Sequence, residues 1–300
     1  MKLKFDDRDL VLIWLYLEID KLFAQTELPL YTERLSNNAT PSFTDAELFT
    51  CAVFAELMKC VDRKSGYLYI AKHYGDWFRQ LPGYEVYNRK LNKYHEALTY
   101  IFSAFRTTYG QADQPFAMID TEPIEVCQPQ HSRHAKAAKP FASKGYCPAK
   151  KKYYVGAKLQ IIAQGRSNQL PFPGEYYIAT ASRHDLDIAK ETLPDSDLEF
   201  MDLYGDLAYP DEEFERELYD HKGIILKMPN KKPKGQQLSL FQKAENSIHS
   251  SIRQPIDTLF GWIDRQTRIQ QASKVRSVTG LFLHIHLKML AALILLIIEF

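Results

Sequence analysis

The sequence is narrowed first by what it lacks. Between Val126 and Gly174 there is no Asp or Glu, while nine Lys and Arg fall in the same stretch. The formal net charge of +1 therefore hides a local excess of one sign, which matters more than the total. Cysteine is scarce. Cys51, Cys60, Cys127 and Cys147 are far apart and form no Cys-x-x-Cys pair, which excludes a zinc ribbon or a disulfide framework and points to a reducing cytoplasm. The amino terminus lacks an uninterrupted apolar core, because Asp6, Asp7 and Asp9 stand there, so a secretory signal is not expected. A full-length apolar span is also missing. The run from Leu281 to Ile298 is broken by His284, His286 and Lys288, and its clean part from Met289 is half the roughly 20 residues a bilayer requires. A buried terminal helix and no membrane partner are expected. There is no internal repeat, no low-complexity tract, and no convincing Ser-His-Asp or Cys-His set for a side-chain nucleophile.

What is present is a chain of 300 residues, 45% apolar, long enough for one large domain or two ordinary ones. The first hundred or so residues read as helical. Leu10, Ile13, Trp14 and Leu17 keep the spacing of one helix face, and Leu48, Cys51, Ala52 and Ala55 repeat it. Thr44 and Glu47 have the spacing of a capping box, in which each side chain satisfies a free backbone N–H. Residues 36–41 read as a loop. A third helical pattern runs from about Asn88 through Phe105, after the turn-like Leu81-Pro82-Gly83.

Near Thr107 to Gly110 the texture changes to alternating strands and helices. Strands are expected over 116–120, 152–162, 176–181 and 200–204, rich in β-branched and aromatic residues. A helix over about 185–193 follows the third, with Ser182 and Asp185 in capping-box spacing, and a helix over 211–221 follows the fourth. A short strand at 224–227 and a helical tail from about Leu240 complete the chain. Three strands, helix, strand, helix, strand is the order of a ribonuclease-H-like α/β domain, a mixed five-stranded sheet with helices. We therefore expect such a domain over 111–300, preceded by an all-helical domain over 1–110.

The carboxylates draw attention within that order. The first strand candidate, Phe116-Ala117-Met118-Ile119-Asp120, is an apolar run that stops on an acid, and the fourth stops on Gly205-Asp206. Those two strands lie side by side in this topology, so both acids would sit at one end of the sheet. Divalent magnesium needs two or three carboxylates and keeps several waters. The third is expected from the tail, where Ile256, Leu259, Phe260 and Ile263 make an apolar face and Asp257 lies one step off its edge. Each acid taken alone is as well explained by a solvated turn, so the case rests on the set. Arg253 stands four residues before Asp257, about one turn away if Pro255 does not break the helix. His184-Asp185 opens a helix, and capping explains Asp185 sufficiently.

Separated blocks along nearly the whole chain resemble the DDE transposases of bacterial insertion sequences, and among them the insertion-sequence 982 group. They are FTDAELFTCAVFAELM (43–58), YNRKLNKY (87–94), MIDTEPIEVC (118–127), GYCPAKKKYYVGAKLQII (145–162), LYGDLAYPD (203–211) and RQPIDTLFGWIDRQTRIQQASKVRSVTGL (253–281). The last is the most specific. The resemblance implies a ribonuclease-H-like catalytic domain, a divalent metal, and transfer of DNA strands between transposon ends and a target. By position it assigns the family's three catalytic, metal-binding acids to Asp120, Asp206 and Asp257. The third is normally Glu, and Asp draws the ligand back by roughly 1.5 Å. Ser250 stands where related families carry Tyr three residues before the Arg.

The expected cofactor is Mg2+ or Mn2+, two ions about 3.5 to 4 Å apart. The expected partner is double-stranded DNA, both terminal inverted repeats and target, with a homodimer on the DNA. Arg133, Lys136, Lys150, Lys151, Lys152 and Arg253 are the candidate DNA contacts, holding phosphates by charge. Lys231-Lys232-Pro233-Lys234 reads equally as a linker. Tyr146, Tyr153 and Tyr154 would either stack on unpaired bases or belong to the sheet. The helical domain would contact the transposon end or serve packing and dimerisation. Two other readings stay open: a catalytically impaired relative that binds terminal repeats without cutting, and a nuclease without strand transfer.

Overall fold

The computed structural model describes the chain apart from Met1, residues 33–41, Pro129, residues 131–135, Ala149, and residues 233, 234 and 236. The expected loop at 36–41, the candidate contact Arg133, and Pro233 and Lys234 lie outside the described residues. Two compact units divide the chain. The first comprises 1–110, 263–269 and 275–300, and the second 111–262 and 270–274. The chain thus returns at its end to the unit in which it began, a return that the reading of 111–300 as one domain does not contain.

The first unit is helical, with β1 (Leu3–Lys4), α1 (Arg8–Gln25), α2 (Asp45–Leu57), α3 (Arg63–His73), α4 (Tyr84–Lys93) and α5 (Ala97–Tyr109). The capping box at the start of α2 is present in both directions, Glu47 N–H to Thr44 Oγ1 at 3.1 Å and Thr44 N–H to Glu47 Oε2 at 2.6 Å. The expected face of α1 is corrected. Leu10, Ile13 and Leu17 are exposed, and Val11, Leu12, Leu15 and Ile19 are buried. Apolar residues lie nearly all round this helix, so two faces satisfy the same spacing and packing against α2 and α5 selects one. The single helix expected over 88–105 is two, parted by a turn at 94–96 that no Gly or Pro marks.

The terminal helix of the chain belongs to this unit. Val278–Ile297 is long and apolar enough to cross a membrane, yet 83% of its most apolar window is buried inside the protein, against α2, α4 and α5. Its polar side chains have internal partners. His284 Nε2 bonds Ile269 O at 2.8 Å, and the His286 ring stacks on His95 at 5.7 Å. Burial pushes both imidazoles down to about 3, so they stay neutral. Lys288 reaches Glu56 Oε2 at 3.0 Å and the Thr267 carbonyl.

The second unit holds β2 (Phe116–Cys127), β3 (Ser143–Cys147), β4 (Lys152–Gln164), β5 (Phe172–Thr180), α6 (Asp185–Thr192), β6 (Asp202–Tyr204), α7 (Glu212–Lys222), β7 (Ile225–Lys227) and most of α8 (Leu240–Thr267). After it come α9 (Val278–Ile297) and β8 (Ile298–Glu299), which pairs in parallel with β1. The large sheet runs β4, β2, β6, β7, with β2 antiparallel to β4 and parallel to β6, and β6 parallel to β7. This is the mixed ribonuclease-H-like sheet. It carries six strands because β3 pairs with 152–156 of β4 and β5 with 157–164, end to end along one edge. The sequence Ser143-Lys-Gly-Tyr-Cys has weak strand propensity, which hides β3. Gly156 lets β4 close on β2, since a Cβ there would lie 1.9 Å from Ile124 O.

β2 is longer than expected. Asp120 is its fifth residue, paired with Ile161 of β4, and the strand continues through Pro123 to Cys127. Its pairing with β6 stops at Met118, so Pro123 lies on a local edge, where a residue without N–H is tolerated. Ala117, Ile119 and Ile162 form one core with Ala189 of α6, Leu193 just after it, and Phe214 and Leu218 of α7. By alternation Met118 and Asp120 point to the opposite face. The Arg253 and His249 side chains of α8 reach Asp120 and the Lys227 carbonyl there.

Glu56→Ala would strand the Lys288 ammonium in an apolar helix and is expected to lower unfolding stability by about 3–5 kcal/mol, while Lys288→Met is expected to be far milder. Denaturant unfolding of the two variants checks this; equal losses would overturn it.

Candidate active site

β2 and β6 run in the same direction with Phe116 opposite Asp202, Ala117 opposite Leu203 and Met118 opposite Tyr204. Continued for two residues, this register sets Asp120 against Asp206. Asp206 begins a turn, its Oδ1 accepting from Ala208 N–H at 2.8 Å. Gly205 before it has no room for a side chain. A Cβ there would meet Tyr209 Cδ2 at 2.9 Å, Met228 Sδ at 3.1 Å and Ile119 Cγ2 at 3.3 Å.

α8 supplies the rest. The helix continues through Pro255, so Arg253 and Asp257 lie one turn apart on one side. Arg253 bridges two acids, with Nη1 on Asp120 Oδ2 at 2.6 Å and Nη2 on Asp257 Oδ2 at 3.0 Å. Asp120 Oδ1 accepts the N–H of Thr121 at 2.7 Å. Burial pushes the Asp120 carboxyl up to about 6. The Thr121 N–H and Arg253 oppose that rise, and the charges of Asp206 and Asp257 add to it. Burial works against the Arg253 charge, but Asp120 and Asp257 outweigh it and hold the guanidinium above its ordinary value.

The candidate phosphate contacts are less uniform than their sequence suggests. Lys136, Lys150, Lys151 and Lys152 are exposed. Lys152 nevertheless pairs with Glu125 at 2.6 Å, and Lys150 donates to Gln270. Two other basic residues of the acid-free stretch turn inward. Lys158 bonds Asp185 at 2.8 Å, and Arg166 bonds Leu170 O at 2.6 Å while lying over the Phe172 ring. Tyr154 is core, packed with Cys147 and Ala181; Tyr146 and Tyr153 form a half-exposed cross-strand pair 4.9 Å apart.

One expectation fails at α6. Its N-cap is His184, with no side-chain cap bond, and Asp185 does not cap. The Asp185 carboxylate instead accepts from Thr121 Oγ1 at 3.0 Å and from Lys158 Nζ at 2.8 Å. Lys158 and Gln160 are the residues that sequence reasoning passed over. The signal was there: two long polar side chains two apart in an otherwise apolar strand need partners.

A family model described as a transposase DDE domain matches residues 111–294. The chain belongs to this family. Neither the curated proteins nor the solved structures contain a match to it. As a DDE transposase it is an enzyme that acts on DNA and cuts it, and its family uses divalent metal. The donor set of Asp120 on β2 and Asp206 just past β6, hard carboxylate oxygens, suits such an ion. Among the described residues no three His, Cys, Asp or Glu side chains converge closely enough to hold one, and Arg253 lies between Asp120 and Asp257.

A metal ligand must be ionised, so if Asp120 is one, the affinity of the full chain for Mn2+ is expected to rise about tenfold per pH unit up to about pH 6 and then level off. Arg253→Gln should move that midpoint up and Asp257→Asn should move it down. Manganese titrations by electron paramagnetic resonance across pH check this, and midpoints moving the same way would overturn it.

Proposed function

We propose that the protein is the transposase of an insertion sequence of the 982 group, cutting the ends of its element and joining them to target DNA with Asp120, Asp206 and Asp257 as its catalytic carboxylates. The observation that carries this reading is the parallel pairing of β2 with β6, which brings two acids 86 residues apart in sequence to one end of the sheet, in a chain of the DDE family. The bridge from Arg253 to Asp257 joins the third acid to the pair. The blocks at 43–58 and 253–281 support the narrower group.

Asp120 and Asp206 would hold Mg2+ or Mn2+, with Asp257 completing the set. Two such ions, when bound, supply activation of the attacking water or 3′-hydroxyl and stabilisation of the leaving oxygen. Asp257 is one methylene shorter than the Glu of its relatives, and its half-exposed side chain on α8 has room to turn. Arg253 is placed to exchange a carboxylate for a phosphate oxygen, a group its planar fork fits equally well. Lys136, Lys150, Lys151 and Lys152, with Arg133, would hold the DNA backbone. Lys152 gives least, since Glu125 already neutralises it. The helical unit would contact the transposon end or a second copy in a homodimer on the DNA. Free thiols at all four cysteines suit the reducing cytoplasm.

Incubated with Mg2+ or Mn2+ and DNA carrying the inverted repeats that flank its own gene, the full chain is expected to give end cleavage and joined products. Asp120→Asn and Asp206→Asn should each lose cleavage on the order of a thousandfold with little change in DNA affinity, and Asp257→Glu should keep it. Binding without cutting in either metal would overturn the reading, and cutting without joining would reduce the protein to a nuclease.

A further inference from the structure

Asp120 and Thr121 point to opposite faces of β2, Asp120 toward Arg253 and Thr121 toward the start of α6. Thr121 acts on both sides. Its N–H holds Asp120 Oδ1 at 2.7 Å, and its hydroxyl donates to Asp185 Oδ1 at 3.0 Å. Asp185 is itself fixed. Lys158 donates to the same oxygen at 2.8 Å and to the Arg183 carbonyl at 2.7 Å, and both Lys158 and Asp185 are largely shielded from water. The far end of α6 is tied to the same strand, where Thr192 Oγ1 donates to the fully buried Gln160 at 3.1 Å.

We propose that Asp185, with Lys158, is a positioning group for Asp120, acting through Thr121. The carboxylate on α6 holds the Thr121 side chain, and through it the peptide whose N–H fixes the Asp120 rotamer. Two features make this more than packing. Asp185 leaves the cap of its own helix, where its carboxylate has free N–H groups to satisfy, and reaches across to the sheet. Lys158 neutralises it, so a fourth carboxylate stands behind the three acids without adding a net charge to them. A small open pocket lined in part by Thr121, Lys158 and Asp185 borders the network.

The inference rests on the reading of Asp120 as a ligand and catalytic acid, and the test separates the two. Thr121→Val keeps the shape and removes the hydroxyl; Thr121→Ser keeps the hydroxyl. In the full chain, Thr121→Val and Asp185→Ala are expected to weaken Mn2+ binding about tenfold and to slow end cleavage at saturating DNA by 10- to 100-fold. DNA affinity should stay within about threefold. Thr121→Ser should recover both quantities. Thermal melting of each variant controls for folding, and Thr121→Val serves if Asp185→Ala does not fold. Mn2+ affinity unchanged in Thr121→Val, or lost equally in Thr121→Ser, overturns the proposal. If the wild-type chain cuts no DNA, the catalytic reading fails, and the Mn2+ comparison still decides this one.

Discussion

The arrangement depends on the two-residue period of β2. Ala117, Ile119 and Thr121 face α6 and α7, and Met118 and Asp120 face the other way. One peptide, between Asp120 and Thr121, therefore joins a buried apolar core to an acidic cluster. A slip of one residue in register would turn the carboxylate into the apolar core under α6 and α7 and put Ile119 in the acidic cluster, which is why the apolar pattern before Asp120 fixes where the acid points. The pairing with β6 then needs only two more residues on each strand to bring Asp206 beside it. Gly205 allows that turn because Tyr209, Met228 and Ile119 already fill the space.

Much of this was legible in the residues. The order of strands and helices gave the sheet, since β-branched runs and capping signals sit where elements begin, as at Thr44 and Glu47. Among what was not legible, three cases have a physical reason at or near the site or in α1. The strand through Asp120 runs on to Cys127, because Glu122 and Pro123 are poor strand formers held in place by pairing with β4 and not by propensity. The buried face of α1 was misread, because an apolar helix offers more than one face at the same spacing. Asp185 was explained away as a cap, because capping is a local pattern and its true partners lie 64 and 27 residues off.

The acid-free stretch carries a related lesson about charge. Along the chain, nine basic residues have no acid among them. In space Glu125 approaches Lys152, and Asp185 approaches Lys158, from elements outside that stretch. A run of one sign in sequence overstates the field that a nucleic acid meets, since only charges left unpaired at the surface release counterions on binding.

Arg253 sets the electrostatic balance of the cluster. Burial raises the proton affinity of Asp120, and the charges of Asp206 and Asp257 add to that rise. One guanidinium answers two of the three, with separate nitrogens for separate carboxylates. A lysine in its place would present a single point of charge and hold one acid at a time. The continuity of α8 through Pro255 is what makes the double contact available, since only an unbroken turn keeps Arg253 and Asp257 on one side. Asp120 Oδ2 is thereby committed to Arg253 while Oδ1 is committed to Thr121. A cation that takes up Oδ2 competes with the guanidinium there and leaves Arg253 with its contact to Asp257.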